Sequence, residues 1–238
     1  MTADRLYFRQ LLAGRDIAGD DPVARQMLNL VYLIGDRETG EAVAVDPAYA
    51  PDEVIAILAT EEMRLTGVLA THYHSDHVGG ELFGWEIVGI AELLEQVEVP
   101  IHVHEDEAPW IERTTGVGRT SLVTHLSDDV VEVGAIKIRL LHTPGHTPGS
   151  QCFLVDGRLV AGDTLFLQGC GRTDLPGSDP DAMYDSLVNR LAKLPDDTVV
   201  YPGHLYSPDG SASLAETKRK NPVLAPRSCE EWLAMFGG

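Results

Sequence analysis

The chain has 238 residues, with 18 Lys plus Arg against 37 Asp plus Glu and a formal net charge of −19. A surface this acidic repels phosphate backbones and anionic lipid, which sets aside nucleic acid and membrane surfaces as partners and suits bound cations. The three cysteines, Cys152, Cys170 and Cys229, form no CxxC pair and give neither a disulfide framework nor a thiolate zinc site. No apolar h-region follows Met1 and no run approaches the roughly 18 apolar residues of a membrane span, so the expectation is a cytoplasmic protein.

In chain order, Tyr7 to Leu12 and Met27 to Ile34 are β-compatible runs, and residues 35–40 read as a turn into the apolar Ala42-Val43-Ala44-Val45. Pro51-Asp52-Glu53 opens a helix with Val54, Ile55, Leu58 and Met63 near helical spacing and acids where the helix dipole favours them. A strand over Thr66 to Thr71 follows. Residues 81–98 read as mostly helical, Ile101 to His104 as a short strand, and Ser121 to Val155 as several short strands with a turn at Ser127-Asp128-Asp129. Asp156-Gly157 makes a tight hairpin, and Asp179-Pro180 caps a helix that presents Met183, Leu187, Val188, Leu191 and Leu194 on one face. Thr198 to Tyr201 is the last strand, and from Ser211 two short helices are expected, broken near Pro222 and Pro226. This β/α alternation, without repeat or linker, predicts one α/β domain over 1–238.

The chemistry concentrates at the ends of strands. Thr71-His72-Tyr73-His74-Ser75-Asp76-His77-Val78-Gly79-Gly80 sets three imidazoles and a carboxylate within six residues, between an apolar run and two glycines. That is metal-ligand chemistry on a loop. Three further junctions end in potential ligands beside glycine: His146 in Thr143-Pro144-Gly145-His146-Thr147-Pro148-Gly149, Asp163 after Gly162, and His204 after Pro202-Gly203. Glycine lets the backbone turn sharply and approach a site closely.

In this order and at these separations, HxHxDH, TPGHTPGS, GDTLF and YPGH resemble the metallo-β-lactamase superfamily across residues 7–224. The resemblance implies a four-layer αβ/βα sandwich with metals at one edge of its two sheets. It also implies one metal on His72, His74 and His146, a second on Asp76, His77 and His204, and Asp163 bridging both. Imidazole and carboxylate donors suit Zn, Fe or Mn, and two divalent cations, Zn foremost, are the expected cofactors. Two adjacent cations would bring a bridging water to near-neutral pKa as the nucleophile and polarise the group attacked, with Asp76 or Asp163 steering it as the catalytic carboxylates. No protein nucleophile is needed.

Other residues take quieter readings. His102 and His104 mimic a metal pair but lie in an apolar strand, which points to structural roles, with His104 bonding toward the next helix. His142 reads as part of the ligand-bearing turn, His125 as a surface residue and Cys170 as packing beside the site. Arg172 is a candidate for holding a substrate carboxylate, or for pairing with Asp174. Tyr206 is a candidate for facing the substrate.

Two branches of the superfamily compete. GDTLF, GCG and the run from Leu194 to Tyr206 look like glyoxalase II, the dinuclear hydrolase of glutathione thioesters. Gly169-Cys170-Gly171-Arg172-Thr173-Asp174, the tail Lys220-Asn221-Pro222-Val223-Leu224 with Ser228-Cys229-Glu230-Glu231, and Tyr32 to Glu38 are similar to persulfide dioxygenase. There the resemblance implies one iron on His72, His146 and Asp163. The complete ligand set favours a hydrolase of small thioesters or esters, with a glutathione conjugate as possible substrate, the dioxygenase as the alternative and a non-catalytic metal-binding protein as a remote one. The added segment at about 82–99 is expected to be helical and to form a lid, a substrate wall or a homodimer contact.

Overall fold

The computed structural model describes residues 5–226 and 228–236. Residues 1–4 and, from the expected tail over 211–238, residues 227, 237 and 238 lie outside the described residues.

The first half runs β1 (Leu6–Leu12), α1 (Pro22–Met27), β2 (Leu30–Asp36), β3 (Glu41–Val45), α2 (Pro51–Thr60), β4 (Arg64–Leu69), α3 (Ser75–Val78), β5 (Gly80–Leu82), β6 (Trp85–Ile87), α4 (Ile90–Gln96), β7 (Ile101–His104), α5 (Ala108–Thr115) and β8 (Leu122–His125). The second half runs β9 (Val130–Val133), β10 (Ile136–His142), β11 (Gln151–Val155), β12 (Arg158–Gly162), α6 (Pro180–Tyr184, continued as irregular helical turns to Lys193), β13 (Val199–Pro202), β14 (Ala212–Ser213), α7 (Leu214–Lys220) and α8 (Cys229–Phe236).

The described strands make two six-stranded sheets, ordered β1-β2-β3-β4-β7-β8 and β14-β13-β12-β11-β10-β9, plus the β5-β6 hairpin. The central strands β2, β3, β11 and β12 are buried on both faces because both faces are covered, whereas β9 and the start of β10 alternate buried and exposed residues. Alternation along β2 sends Leu30, Tyr32 and Ile34 into the space between the sheets, where they meet Ile138, Leu140 and Phe153 of the second sheet. Val31 and Leu33 turn the other way, onto a layer that holds Val54 and Leu58 of α2, Leu93 of α4 and Ile111 of α5. Outside the second sheet, Leu159, Ala161 and Val200 pack against Met183, Leu187, Leu214 and Trp232. Helix, sheet, sheet, helix is the expected αβ/βα order.

Local chemistry explains most boundaries. Asp21 caps α1 through hydrogen bonds from Val23 and Ala24 N–H, and Asp179 caps α6 through Ala182 N–H. Two expectations need correction. The strand expected from Met27 begins at Leu30, because Pro22 starts a helix that ends on left-handed Leu28 at φ 59°. The segment 82–99 is not one helix. Phe83 and Gly84 take φ 51° and 85°, a two-residue turn that folds β5 back on β6, and only Ile90–Gln96 is helical. Its apolar residues divide between two surroundings: Ile87, Ile90 and Leu93 are buried, while Phe83, Trp85 and Val88 are exposed. No described helix is long and apolar enough to cross a membrane.

Candidate metal centre

Each strand-to-loop junction singled out in the sequence reaches the same rim. The end of β4 delivers His72, His74 and, on α3, Asp76 and His77; β10, β12 and β13 lead to His146, Asp163 and His204. The rim is tight. A Cβ on Gly203 would overlap Asp163 Oδ1, so only glycine lets β13 pass there, and Gly162, at φ 50°, would collide with Thr71.

Two groups of donors form. His74 Nδ1 lies 3.1 Å from His72 Nε2 and 3.0 Å from His146 Nε2. His77 Nε2 and His204 Nε2 lie 3.2 Å apart, with Asp76 Oδ2 3.6 Å from the first and 3.4 Å from the second. Asp163 stands between the groups, with Oδ1 3.4 Å from His77 Nε2, and Oδ2 3.3 Å from His204 Nε2 and 3.7 Å from His146 Nε2.

The outer ring nitrogens say which way the inner ones face. A carbonyl only accepts, so His146 Nδ1 donates to Arg172 O and His204 Nδ1 donates to Met27 O, each at 2.8 Å. His77 Nδ1 donates to Asp46 Oδ2 at 2.9 Å. Thr71 Oγ1 donates its proton to Asp46 Oδ2 at 2.6 Å and so accepts from His72 Nδ1 at 2.9 Å. In neutral rings held this way, Nε2 of His72, His77, His146 and His204 carries a lone pair. While both rings are neutral, His77 and His204 aim lone pairs at each other across 3.2 Å, which is repulsive unless a proton or a metal cation sits between them. Asp163 Oδ1 is buried with no hydrogen-bond partner. Convergent lone pairs and an unpartnered buried carboxylate oxygen are what divalent metal ions require.

Electrostatics points the same way. Burial pushes His74 down to about 4, helped by its neighbour His146. Burial would also lower His77, but the carboxylates of Asp76, Asp163 and Asp46 outweigh it and hold that imidazole at about 10. The protein thus favours positive charge at this point.

Three supporting residues were missed in the sequence. Asp46, after the apolar β3, orients His77 directly and His72 through Thr71, and also accepts from Thr71 N–H at 2.7 Å. A carboxylate at the end of a buried strand was the signal, of the same kind that marked Asp163. Asn29 donates from Nδ2 to Asp76 Oδ2 at 3.0 Å and accepts from the Tyr49 hydroxyl. Glu107, fully buried, accepts from Tyr73 N–H, Thr147 Oγ1 and Gly149 N–H, tying the first ligand loop to the second. Burial holds its carboxyl up at about 7.

The remaining candidates separate. Arg172 is at the pocket rim and forms a two-pronged ion pair with Asp174, both contacts 2.8 Å. Tyr206 stacks on His204 at 4.6 Å and 10° and faces the same pocket. Burial pushes the Cys170 thiol up to about 12, so it is no thiolate nucleophile and packs as expected. His104 accepts from Asp106 N–H at 3.3 Å, just before α5, and stacks on His142 at 3.6 Å. These two and Asp106 have donor atoms within 4.8 Å, but parallel rings send their nitrogen lone pairs side by side, not to one point. His142 holds its turn by donating to Pro148 O at 2.9 Å. His125 is not a lone surface residue; it is half-buried and its Nε2 lies 2.8 Å from His102 Nδ1.

Residues 25–204 match the Metallo-beta-lactamase superfamily. The chain belongs to that superfamily. As a member of the Metallo-beta-lactamase superfamily it is a metal-dependent enzyme whose His and Asp clusters suit divalent metals. It is 36% identical over 208 residues to a hydroxyacylglutathione hydrolase of Rhodopseudomonas palustris, covering 85% of this chain and 72% of that protein. It is 30% identical over 241 residues to the mitochondrial persulfide dioxygenase ETHE1 of Homo sapiens, covering 96% of this chain and 86% of that one. Among solved structures, ETHE1 from Myxococcus xanthus superposes with a TM-score of 0.79 at 33% identity, over 96% of this chain and 89% of that chain.

Proposed function

We propose that this protein hydrolyses a small thioester or ester, with His72, His74 and His146 holding one divalent cation, Asp76, His77 and His204 a second, and Asp163 shared between them. The observation that carries this reading is the pair of converging donor groups with Asp163 within 3.7 Å of both. Bound there, the cations supply a water of near-neutral pKa and polarise the substrate carbonyl. The chain's own residues do the rest. Asp46, Thr71, Met27 and Arg172 fix the ring tautomers through their oxygens, so that no ligand must turn before binding. Asp163 and Asp76 present the carboxylate oxygens that orient the attacking water and accept its proton. Tyr206 and Phe166, in edge contact at 5.3 Å, close one wall of the pocket against bulk water.

A second reading, persulfide dioxygenation with iron on His72, His146 and Asp163, is favoured by the match to human ETHE1, which spans more of both chains than the hydrolase match. The C-terminal tail braces the segment behind the pocket wall: Asn221 Nδ2 donates to the Phe166 and Gly169 carbonyls at 2.9 Å, and Thr173 Oγ1 donates to Phe236 O. One experiment separates the readings. The hydrolase cleaves S-acyl thioesters without oxygen; oxygen uptake that depends on glutathione persulfide, with no anaerobic cleavage, selects the dioxygenase.

A further inference from the structure

The cavity at the metal rim has a volume of about 720 Å³, within the range of small-molecule sites. Besides the ligands, its lining carries six apolar or aromatic side chains, Met27, Leu82, Phe83, Phe166, Leu175 and Tyr206. Leu82 and Phe83 come from the β5-β6 hairpin, whose base is fixed and whose tip is free. Ser75 Oγ donates to Glu81 O at 2.8 Å, and Gly79 and Gly89 pack so closely that a Cβ on either would overlap the other strand. At the tip, Phe83 is 89% exposed. A fixed arm that carries an uncovered phenyl ring to the mouth of an apolar cavity leaves that ring to be covered by whatever occupies the cavity.

The charge of the wall narrows the occupant further. Among the described residues, Arg172 is the only Lys or Arg that lines the cavity, and Asp174 already engages its guanidinium with both oxygens. Glu81 adds negative charge at the same rim. A carrier with several carboxylates or phosphates finds no free counter-charge there.

Resting on the thioester-hydrolase reading, we propose that the substrate is a thioester of an apolar acyl chain, seated against Phe83 and Leu82, on a thiol carrier without anionic groups near the reacting carbon. Water adds to the carbonyl carbon, the C–S bond breaks, and the fatty acid and the protonated thiol leave. No oxidant or reductant is consumed.

The test uses the metal-reconstituted full chain with acetyl, butanoyl and octanoyl thioesters of N-acetylcysteamine and of glutathione. Burial of the added methylenes predicts that kcat/KM rises at least tenfold from acetyl to octanoyl on the neutral carrier, and that glutathione as carrier brings no gain. Phe83→Ser, at an exposed position that does not hold the fold, narrows the octanoyl-to-acetyl ratio several-fold. Calorimetric binding of octanoate and acetate gives a readout that needs no turnover. Octanoate binding at least tenfold tighter, with no thioester cleaved, upholds the apolar pocket and removes the hydrolase reading. Cleavage with a flat chain-length profile and equal binding of both acids, or a tenfold preference for the glutathione carrier, overturns the proposal and leaves the hydrolase reading in place.

Discussion

Replacing Asp46 by Asn keeps size and shape and removes one acceptor. Asp46 Oδ1 accepts from Thr71 N–H, while Oδ2 accepts from both Thr71 Oγ1 and His77 Nδ1, at 2.6 and 2.9 Å. With the Asn carbonyl kept on the Thr71 amide, its NH₂ meets two donors. The Thr71 hydroxyl and the His77 ring must both turn, and His77 then carries its proton on Nε2, where it faces His204. Loss of such an outer partner lowers metal affinity about 10- to 100-fold, or about 1.4 to 2.7 kcal/mol. The buried, mismatched donors add about 1 to 3 kcal/mol of destabilisation. A competitive titration against a chelating dye, with circular dichroism to check folding, reads the first effect. We expect the site that holds His77 to weaken at least tenfold, and the site that holds His72 to weaken with it through Thr71, while the protein stays folded. Affinities within threefold of wild type would refute the assignment of ring protons from Asp46.

Three further outcomes are expected. Gly203→Ala drives a methyl group into Asp163 Oδ1, so elemental analysis should find metal lost from a protein that still folds. Asn221→Ala leaves the buried Phe166 carbonyl and the half-buried Gly169 carbonyl without their side-chain donor; urea titration should show a loss of about 1 to 3 kcal/mol. Burial holds His102 and His104 at about 4, below the unfolded value of about 6.5. Their contribution to stability is therefore full above pH 6.5 and is lost as pH falls towards 4. His102→Gln should accordingly lose less stability than wild type between pH 7 and 5, read from denaturation midpoints.

The donor set was legible because His72, His74, Asp76, His77, His146, Asp163 and His204 all follow apolar runs and sit among glycines, a pattern that survives without knowledge of tertiary contacts. The layer order came with the resemblance carried by HxHxDH, TPGHTPGS, GDTLF and YPGH, and the burial of β2 and β3 on both faces agrees with it, since a strand of that kind must be covered twice. What could not be read was which polar residue supports which ligand. Asp46 and Glu107 lie 31 and 34 residues from the groups they hold, His77 and Tyr73; Asp46 is marked only as a carboxylate closing a buried strand, and nothing local says which ligand either one supports. Residues 82–99 misled for another reason: their apolar spacing was read as mostly helical, yet the turn at Phe83-Gly84 overrides that spacing and leaves Phe83 and Trp85 facing outward on a hairpin. His125 lost its surface reading because its partner His102 comes from the neighbouring strand.

The most direct test of the central claim is the metal content of wild type and His204→Ala, measured together with anaerobic thioester turnover. A dinuclear site gives about two metals per chain in wild type, about one in the variant, and loss of most hydrolysis with the second metal. One metal per chain in both proteins, with turnover largely intact after the substitution, would contradict it.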